Sequence, residues 1–437
     1  MLLIQPNVKI TVTMNKPIMK TIHSQLPRFG SRPCALLLAG FASLLLVALP
    51  AQAQIDPEAR QLLHLGVDAS LTDPGPAGAY AFYYWNIPHV WETNQFLRLA
   101  IAPTYLDSEL GFKDLLGKNT DLGIGAFGGL FANNYQEVDG GRWYKNQSFN
   151  GNGGGASVSV YHLFNPDQHI PLNGVLRARM NYVGFDTTDN TGKGFVLPEN
   201  QGFITYRAGL RWGGKEPMLG PVLGMEVSGW YEVEQRTSPG GYGFNNDREL
   251  ERVSQRFFGR AQLNYTMLES HHYIVAALQG GGTINADRFS AYRLGGVLPY
   301  TKEFPLPLPG YFYQELSAKS FGLADLVYTI PFCAEDQWSV IGMGAAAVVD
   351  YVDGTGQPGA FNSGIGAGVG YSAPSHKWKV MTLLGYGFEA QREHGQGGYS
   401  FGLAFQYNFG STQYAARRAY DQLEEMHDQE IHAAGTY

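Results

Sequence analysis

The sequence predicts an all-β protein, a transmembrane antiparallel β-barrel of about sixteen strands, and three observations carry that prediction. The segment Tyr399–Phe409 places Phe401, Leu403, Phe405, Tyr407 and Phe409 on one face, and Ser400, Gly402, Ala404, Gln406 and Asn408 on the other. Strand side chains alternate with a period of two, so one face is aromatic and the other small and polar. A soluble sheet would bury the aromatic face in a core, whereas a barrel strand turns it toward lipid and its polar face toward a lumen. The pattern also recurs along the chain. Finally, the 437 residues include 56 glycines and 13% aromatics but only 16% charged residues, a balance that suits a large all-β architecture.

The N-terminus reads as an export signal over residues 1–53. Lys16, Lys20, Arg28 and Arg32 precede an apolar run from Ala35 to Leu49, and Ala51-Gln-Ala53 supplies a small-x-small cleavage site. Met14 and Met19 are alternative starts. The other reading of the run is a membrane anchor, but its length of about fifteen residues falls short of the roughly twenty that span a bilayer. Residues 1–53 hold five basic residues and no acid, so their removal takes the formal net charge from −7 to −12. That acidity argues against nucleic acid as a partner. Cys34 leaves with the signal and Cys333 stays alone, so no internal disulfide is expected.

The barrel is expected over residues 54–410, with the first strand near Leu62. Leu97, Leu99 and Ile101 alternate with Arg98, Ala100 and Ala102; Leu176, Ala178, Met180 and Tyr182 with Arg177, Arg179 and Asn181. Ile204, Tyr206, Ala208, Leu210 and Trp212 alternate with Thr205, Arg207, Gly209 and Arg211. Leu223, Met225, Val227, Tyr231 and Val233 alternate with Gly224, Glu226, Ser228, Glu232 and Glu234, and Phe257, Leu263 and Tyr265 with Arg256, Arg260, Gln262 and Asn264. Turn chemistry at 73–76, 149–155, 187–192, 238–241 and 353–359 marks loops, the longer ones expected outside. Spacing of roughly 20–22 residues per strand and connection gives sixteen, an even number as closed single-chain barrels prefer. Two stretches, His272–Gly282 and Trp338–Val349, are apolar on both faces with glycine and alanine toward one side. Either small lumen-facing residues leave room for something packed inside, or the core of a soluble β-sandwich produces the pattern. Residues 411–437 read as a helix with a sparse stripe of Leu423, Met426 and Ile431, serving as a solvated periplasmic tail or as a plug or docking helix.

The order of features from Ala291 onward resembles the end of a barrel of the BamA/TamA-type (bacterial surface antigen) outer-membrane superfamily. Arg293-Leu-Gly-Gly296 is followed by Pro309-Gly310-Tyr311, then Glu315-Leu-Ser-Ala318, then Ala324-Asp325-Leu-Val-Tyr-Thr-Ile-Pro331, Ile341–Asp350 and the glycine-rich Gly364–Gly370. The resemblance implies sixteen strands and a long sixth outer loop folded back into the lumen, with Arg293, Gly295, Gly296, Pro309, Gly310 and Tyr311 as its candidate residues. It also implies that Gly402, Phe405, Tyr407 and Phe409 match the family's assembly signal, read by the outer-membrane assembly machinery. The family's loop-tip arginine is replaced here by Pro309, so its cation is expected to be lost or moved, with Arg293 the candidate. About eight residues separate the cleavage site from the first strand, leaving no room for the periplasmic POTRA modules that bind client chains in the family. Physically, the run Leu298–Gly310 is stiff, because proline fixes φ and favours polyproline II. A stiff apolar loop suits a cavity; a rigid surface loop is the other reading.

The polar faces put Arg177, Arg179, Arg207 and Arg211 near Glu226, with Glu315 and Asp325 as further lumen charges. Such a wall either lines an ion-selective conduit or stiffens the barrel through cross-strand pairs. No catalytic, metal or cofactor set is expected. His271-His272 is the only paired histidine, and there is no G-x-S-x-G, H-E-x-x-H or Cys/His cluster. Gly123–Gly128 fits G-x-G-x-x-G but lies in a strand pattern with no helix after it. The expected function is non-enzymatic. Assisted insertion or translocation of a protein or lipid cargo at the outer membrane comes first, a passive or gated channel second and a barrel enzyme third. Outer-membrane lipids are the expected surroundings.

Overall fold

The computed structural model describes residues 59–409 apart from 131–133, 169, 214–222, 268–269, 299–304, 334–335 and 376. The expected signal and the tail at 411–437 lie outside the described residues. The described residues form sixteen long strands: β1 (Arg60–Ser70), β2 (Gly78–Pro88), β3 (Gln95–Ala102), β4 (Tyr105–Phe112), β5 (Thr120–Gly129), β6 (Phe149–Leu163), β7 (Leu172–Thr187), β8 (Gln201–Gly213), β9 (Leu223–Arg236), β10 (Val253–Thr266), β11 (Tyr273–Ile284), β12 (Leu316–Phe332), β13 (Trp338–Tyr351), β14 (Phe361–Ser372), β15 (Trp378–Arg392) and β16 (Gly395–Asn408). Each pairs antiparallel with its sequence neighbour, and β16 returns to β1 in a register from Leu62↔Asn408 to Ser70↔Ser400. That last ladder closes the cylinder, so no long strand is left with an unpaired edge in lipid.

The wall is inside out relative to a soluble protein. Leu176, Met180 and Leu278 are 61%, 64% and 64% exposed at mid-strand, which excludes a sandwich core. Polar inward positions such as Asp68, Ser159, Glu226 and Gln406 are buried. In β16 the alternation is as the sequence dictates: Leu403 is exposed, whereas Ser400, Gly402, Ala404 and Gln406 are enclosed.

All four long connections (130–148, 188–200, 237–252 and 285–315) leave the same end, opposite the two chain ends of the barrel. At the other end no connection exceeds nine residues (214–222). All four long loops contribute to a cap with its own core. Phe195 and Phe244 pair across a short ladder, and Phe149 and Tyr242 are fully buried among Tyr135, Phe185, Phe203, Leu250 and Phe289. Glu137 sits beneath this core, taking hydrogen bonds from the Tyr135 hydroxyl and from Arg288, and from Arg248 at 3.3 Å.

Two expectations are corrected. Residues 149–155 do not form a loop but open β6, pairing with the end of β7 from Phe149↔Thr187 to Gly155↔Asn181. Their glycines mark close backbone approach rather than a turn: a Cβ on Gly154 would meet the Phe127 carbonyl at 3.1 Å, and one on Gly155 would meet Asn181 at 2.6 Å. In β13, the small Gly342 and Gly344 do not face inward. The inward row is Ile341, Met343, Ala345, Ala347 and Val349, apolar because it is covered from inside the lumen.

Candidate functional site

What covers that row is the loop between β11 and β12. Its start, Tyr292–Leu294, adds a short strand to β12. Gly295 then donates its N–H to Leu306 O at 3.1 Å and Leu308 donates to Gly296 O at 2.9 Å, an antiparallel bridge between the two described parts of the loop. The Asp68 carboxylate of β1 accepts from the N–H groups of Val297 (2.6 Å) and Leu298 (3.0 Å). A Cβ on Gly402 would lie 2.6 Å from Val297 and 2.8 Å from Leu298, so the glycine of the terminal strand is also the space the loop occupies. Leu294, Leu306, Leu308, Tyr311 and Leu316 pack on Phe321, Leu323, Ala345, Ala347 and Val349. Burying each such leucine contributes about 1.5–3 kcal/mol. Asp325 acts at one remove: it accepts from the Gln279 amide at 3.1 Å, and that amide also donates to Pro305 O.

The tip, Pro309-Gly310-Tyr311, enters a groove in β14–β16 floored by Gly364, Gly385, Gly387 and Gly398. Gly310 has φ +85°, a left-handed conformation that glycine adopts without strain. Its N–H donates to Ser400 Oγ at 2.8 Å, and the Tyr311 hydroxyl donates to Asn362 Oδ1 at 3.2 Å. The ladder between β15 and β16 shifts register between Gly387 and Gln391, a bulge beside the docked tip. Beyond it, Arg392 holds Glu315 with both terminal nitrogens, at 3.0 and 3.1 Å. The same guanidinium donates to Gly310 O at 2.9 Å and lies 3.9 Å from the centre of the Phe312 ring. Glu315 in turn accepts from Phe312 N–H at 2.7 Å.

The cation therefore comes from the wall. Arg392 fills the role assigned to Arg293, which instead donates to Arg288 O at 3.1 Å and faces the Tyr135 ring at 5.0 Å. Arg293 points toward the cap, where its partners are Arg288 O and the Tyr135 ring. Asp68 and Arg392 were not singled out from the sequence, although inward alternation in β1 (Leu62, His64, Gly66, Asp68) would have marked the first.

Across the lumen stands a wall of paired charges on β3–β10. Glu226 lies between Arg260 (2.6 Å) and Arg211 (3.7 Å), and Glu232 between Arg207 (2.8 Å) and Arg256. Arg177 bonds Ser159 Oγ at 2.8 Å and Tyr161 OH at 2.6 Å, 3.6 Å from Glu109. Arg179 approaches Asp107 only to 3.8 Å and stacks 3.9 Å over Phe127. Asp107 and Glu109 were missed, yet their i, i+2 spacing in β4 puts both on the lumen face. Trp230 fits between Arg207 and Arg211 because Gly209, facing it, has no side chain.

Near the cap, burial pushes the Tyr135 hydroxyl up to about 12. Burial also raises Asp287, but Arg236 and the N–H groups of Ser290 and Glu251 outweigh it and hold this carboxyl below its ordinary value. A depressed carboxyl stabilises the fold fully above its unfolded value and loses that contribution as pH falls through the folded one. Protease resistance of residues 285–291 is therefore expected to hold from neutral pH to about pH 4 and to fall in more acidic buffer. Limited proteolysis against pH checks this. Asp287→Asn should be cut more readily already at neutral pH.

His271 pairs with Asp336 and His272 meets the Tyr328 hydroxyl at 2.6 Å, both at the end away from the cap. Among the described residues no group of three His, Cys, Asp or Glu side chains could hold a metal. Gly123–Gly128 lies within β5.

No protein-family model matches the sequence, and no curated protein matches it. Solved structures do. CdiB from Acinetobacter baumannii superposes with a TM-score of 0.52 at 10% identity over 80% of this chain, which spans 60% of the CdiB chain. BamA from Haemophilus ducreyi lacking POTRA domains 1–3 gives 0.49 at 11% identity, covering 89% of this chain and 80% of that one. OprB from Pseudomonas putida gives 0.42 at 12% identity, covering 80% and 94%. At these identities the likeness concerns the fold alone. The chain has a closed sixteen-stranded antiparallel β-barrel fold, similar to that of CdiB.

Proposed function

We propose that this barrel assists the insertion or translocation of a protein or lipid cargo at the outer membrane, with the cap facing outward, and that it works without catalysis. One observation carries the reading: the described parts of the loop, residues 295–298 and 305–315, are seated inside the lumen, pinned at Asp68, Ser400 and Arg392. A passive pore needs a free lumen, whereas a barrel that handles cargo needs a closed resting state and an element that can be displaced. The similarity of fold to CdiB is consistent with it. Recognition of the Gly402–Phe409 strand by the assembly machinery belongs to the same proposal.

A gated channel is the second reading, favoured by the arginine-rich wall. Depletion of the protein separates the two. The first reading expects a lower outer-membrane content of other barrels or of lipids; unchanged levels, with uptake of a small solute impaired, would favour the channel.

A further inference from the structure

Between the charged wall, the cap and the base of the in-folded loop lies a chamber of about 770 Å³. Five arginines line it (Arg179, Arg207, Arg256, Arg288 and Arg293) against two carboxylates, Glu232 and Glu234. The chain as a whole is acidic, at −7, so this cationic excess is local. Its members are not equally neutralised. Arg207 and Arg256 share Glu232, and Arg288 pairs with Glu137. Arg179 touches its carboxylate only at 3.8 Å, and among the described residues no carboxylate oxygen lies within 4.0 Å of the Arg293 guanidinium, which meets a carbonyl and a ring.

We infer that this chamber binds an oxyanion, a phosphate or carboxylate group, between Arg179 on the barrel wall and Arg293 at the base of the loop. A purely structural network would pair each cation with a carboxylate, as Glu226 does for Arg211 and Arg260. Here the wall leaves two guanidinium groups of opposite elements facing one cavity. Guanidinium presents a planar fork of donors that matches carboxylate and phosphate oxygens. Asn181, Thr205 and Gln314 add neutral polar groups to the lining, and Phe127 and Phe289 supply low-dielectric walls that focus the positive potential. The volume fits a compact solute or headgroup, since small-molecule sites span roughly 300–1,000 Å³. The site joins the wall to the loop, so an occupant would bridge the fixed and displaceable parts of the lumen. The inference stands on the chamber's chemistry and does not depend on the translocation reading.

Calorimetric titration of the full chain in neutral detergent tests it, at constant ionic strength, with pyrophosphate and citrate as probes and sucrose as the uncharged control. Saturable one-to-one binding of pyrophosphate or citrate, without sucrose binding, is expected. Losing one charge-assisted contact should weaken binding roughly tenfold in Arg179→Gln and in Arg293→Gln. Arg142→Gln, exposed on the cap, should bind as the parent does. Heat-modifiable migration on a gel confirms that each variant folds, and either single variant suffices if the other does not. Displacement of pyrophosphate by short-chain phosphatidic acid would identify a lipid headgroup as the source, and its failure a soluble anion. Absence of saturable binding, or unchanged affinity in a folded Arg179→Gln or Arg293→Gln, would overturn the inference.

Discussion

Arg392→Ala is expected to release the loop from the lumen. The Arg392–Glu315 pair is bidentate and both side chains are 1% exposed, so removing the arginine strands a carboxylate without its counter-charge. Breaking a buried pair from one side costs about 3–5 kcal/mol. If that cost falls on docking, the ratio of seated to unseated loop drops by roughly two to three orders of magnitude. The contacts to Gly310 O and to the Phe312 ring disappear with the same side chain. The barrel itself should survive, because its ladders do not pass through Arg392 except at the last pair with Gly395. The measurement is protease cleavage within residues 298–310 on protein that still shows heat-modifiable migration. Cleavage should be rapid in Arg392→Ala and slow in the parent. Arg392→Lys should fall between them, since lysine keeps the charge but cannot bridge both oxygens. Equal resistance in the parent and the alanine variant would show that the pair does not hold the loop.

How much of this was legible in the sequence follows from the range of each signal. The barrel rests on a period of two within single strands. Phe401 to Phe409, or Leu176 to Tyr182, therefore declare their own faces without knowledge of their neighbours. The charge wall was half visible for the same reason: Arg177, Arg179, Arg207, Arg211 and Glu226 alternate plainly, and only the partners Asp107 and Glu109 went unmarked.

The seat of the loop has no local signature. Gly364, Gly385, Gly387 and Gly398 sit on three strands, and their shared property is space for a tip that arrives from elsewhere. Glycine in a strand reads as a weak point or a turn until the approaching backbone is known, and the same ambiguity produced the misreading of 149–155. Arg392 carries no local mark either; its role appears only when the chain brings it to Glu315. The cap was illegible for a related reason. Phe149, Phe195, Tyr242 and Phe289 come from four separated segments, and no periodicity links aromatic residues that meet only in three dimensions.

The central claim is a closed cylinder whose lumen is occupied by its own loop, and single-channel conductance in planar bilayers tests it most directly. Deleting residues 298–309 removes Leu306 and Leu308, packed on β12 and β13, and the proline that leads the tip into its groove, while leaving every long strand intact. The intact protein should be nearly silent or conduct in small, infrequent steps, and the deletion should open steady conductance several-fold larger. An intact protein that already conducts as a wide, steady pore, or a deletion that leaves the current unchanged, would contradict the account.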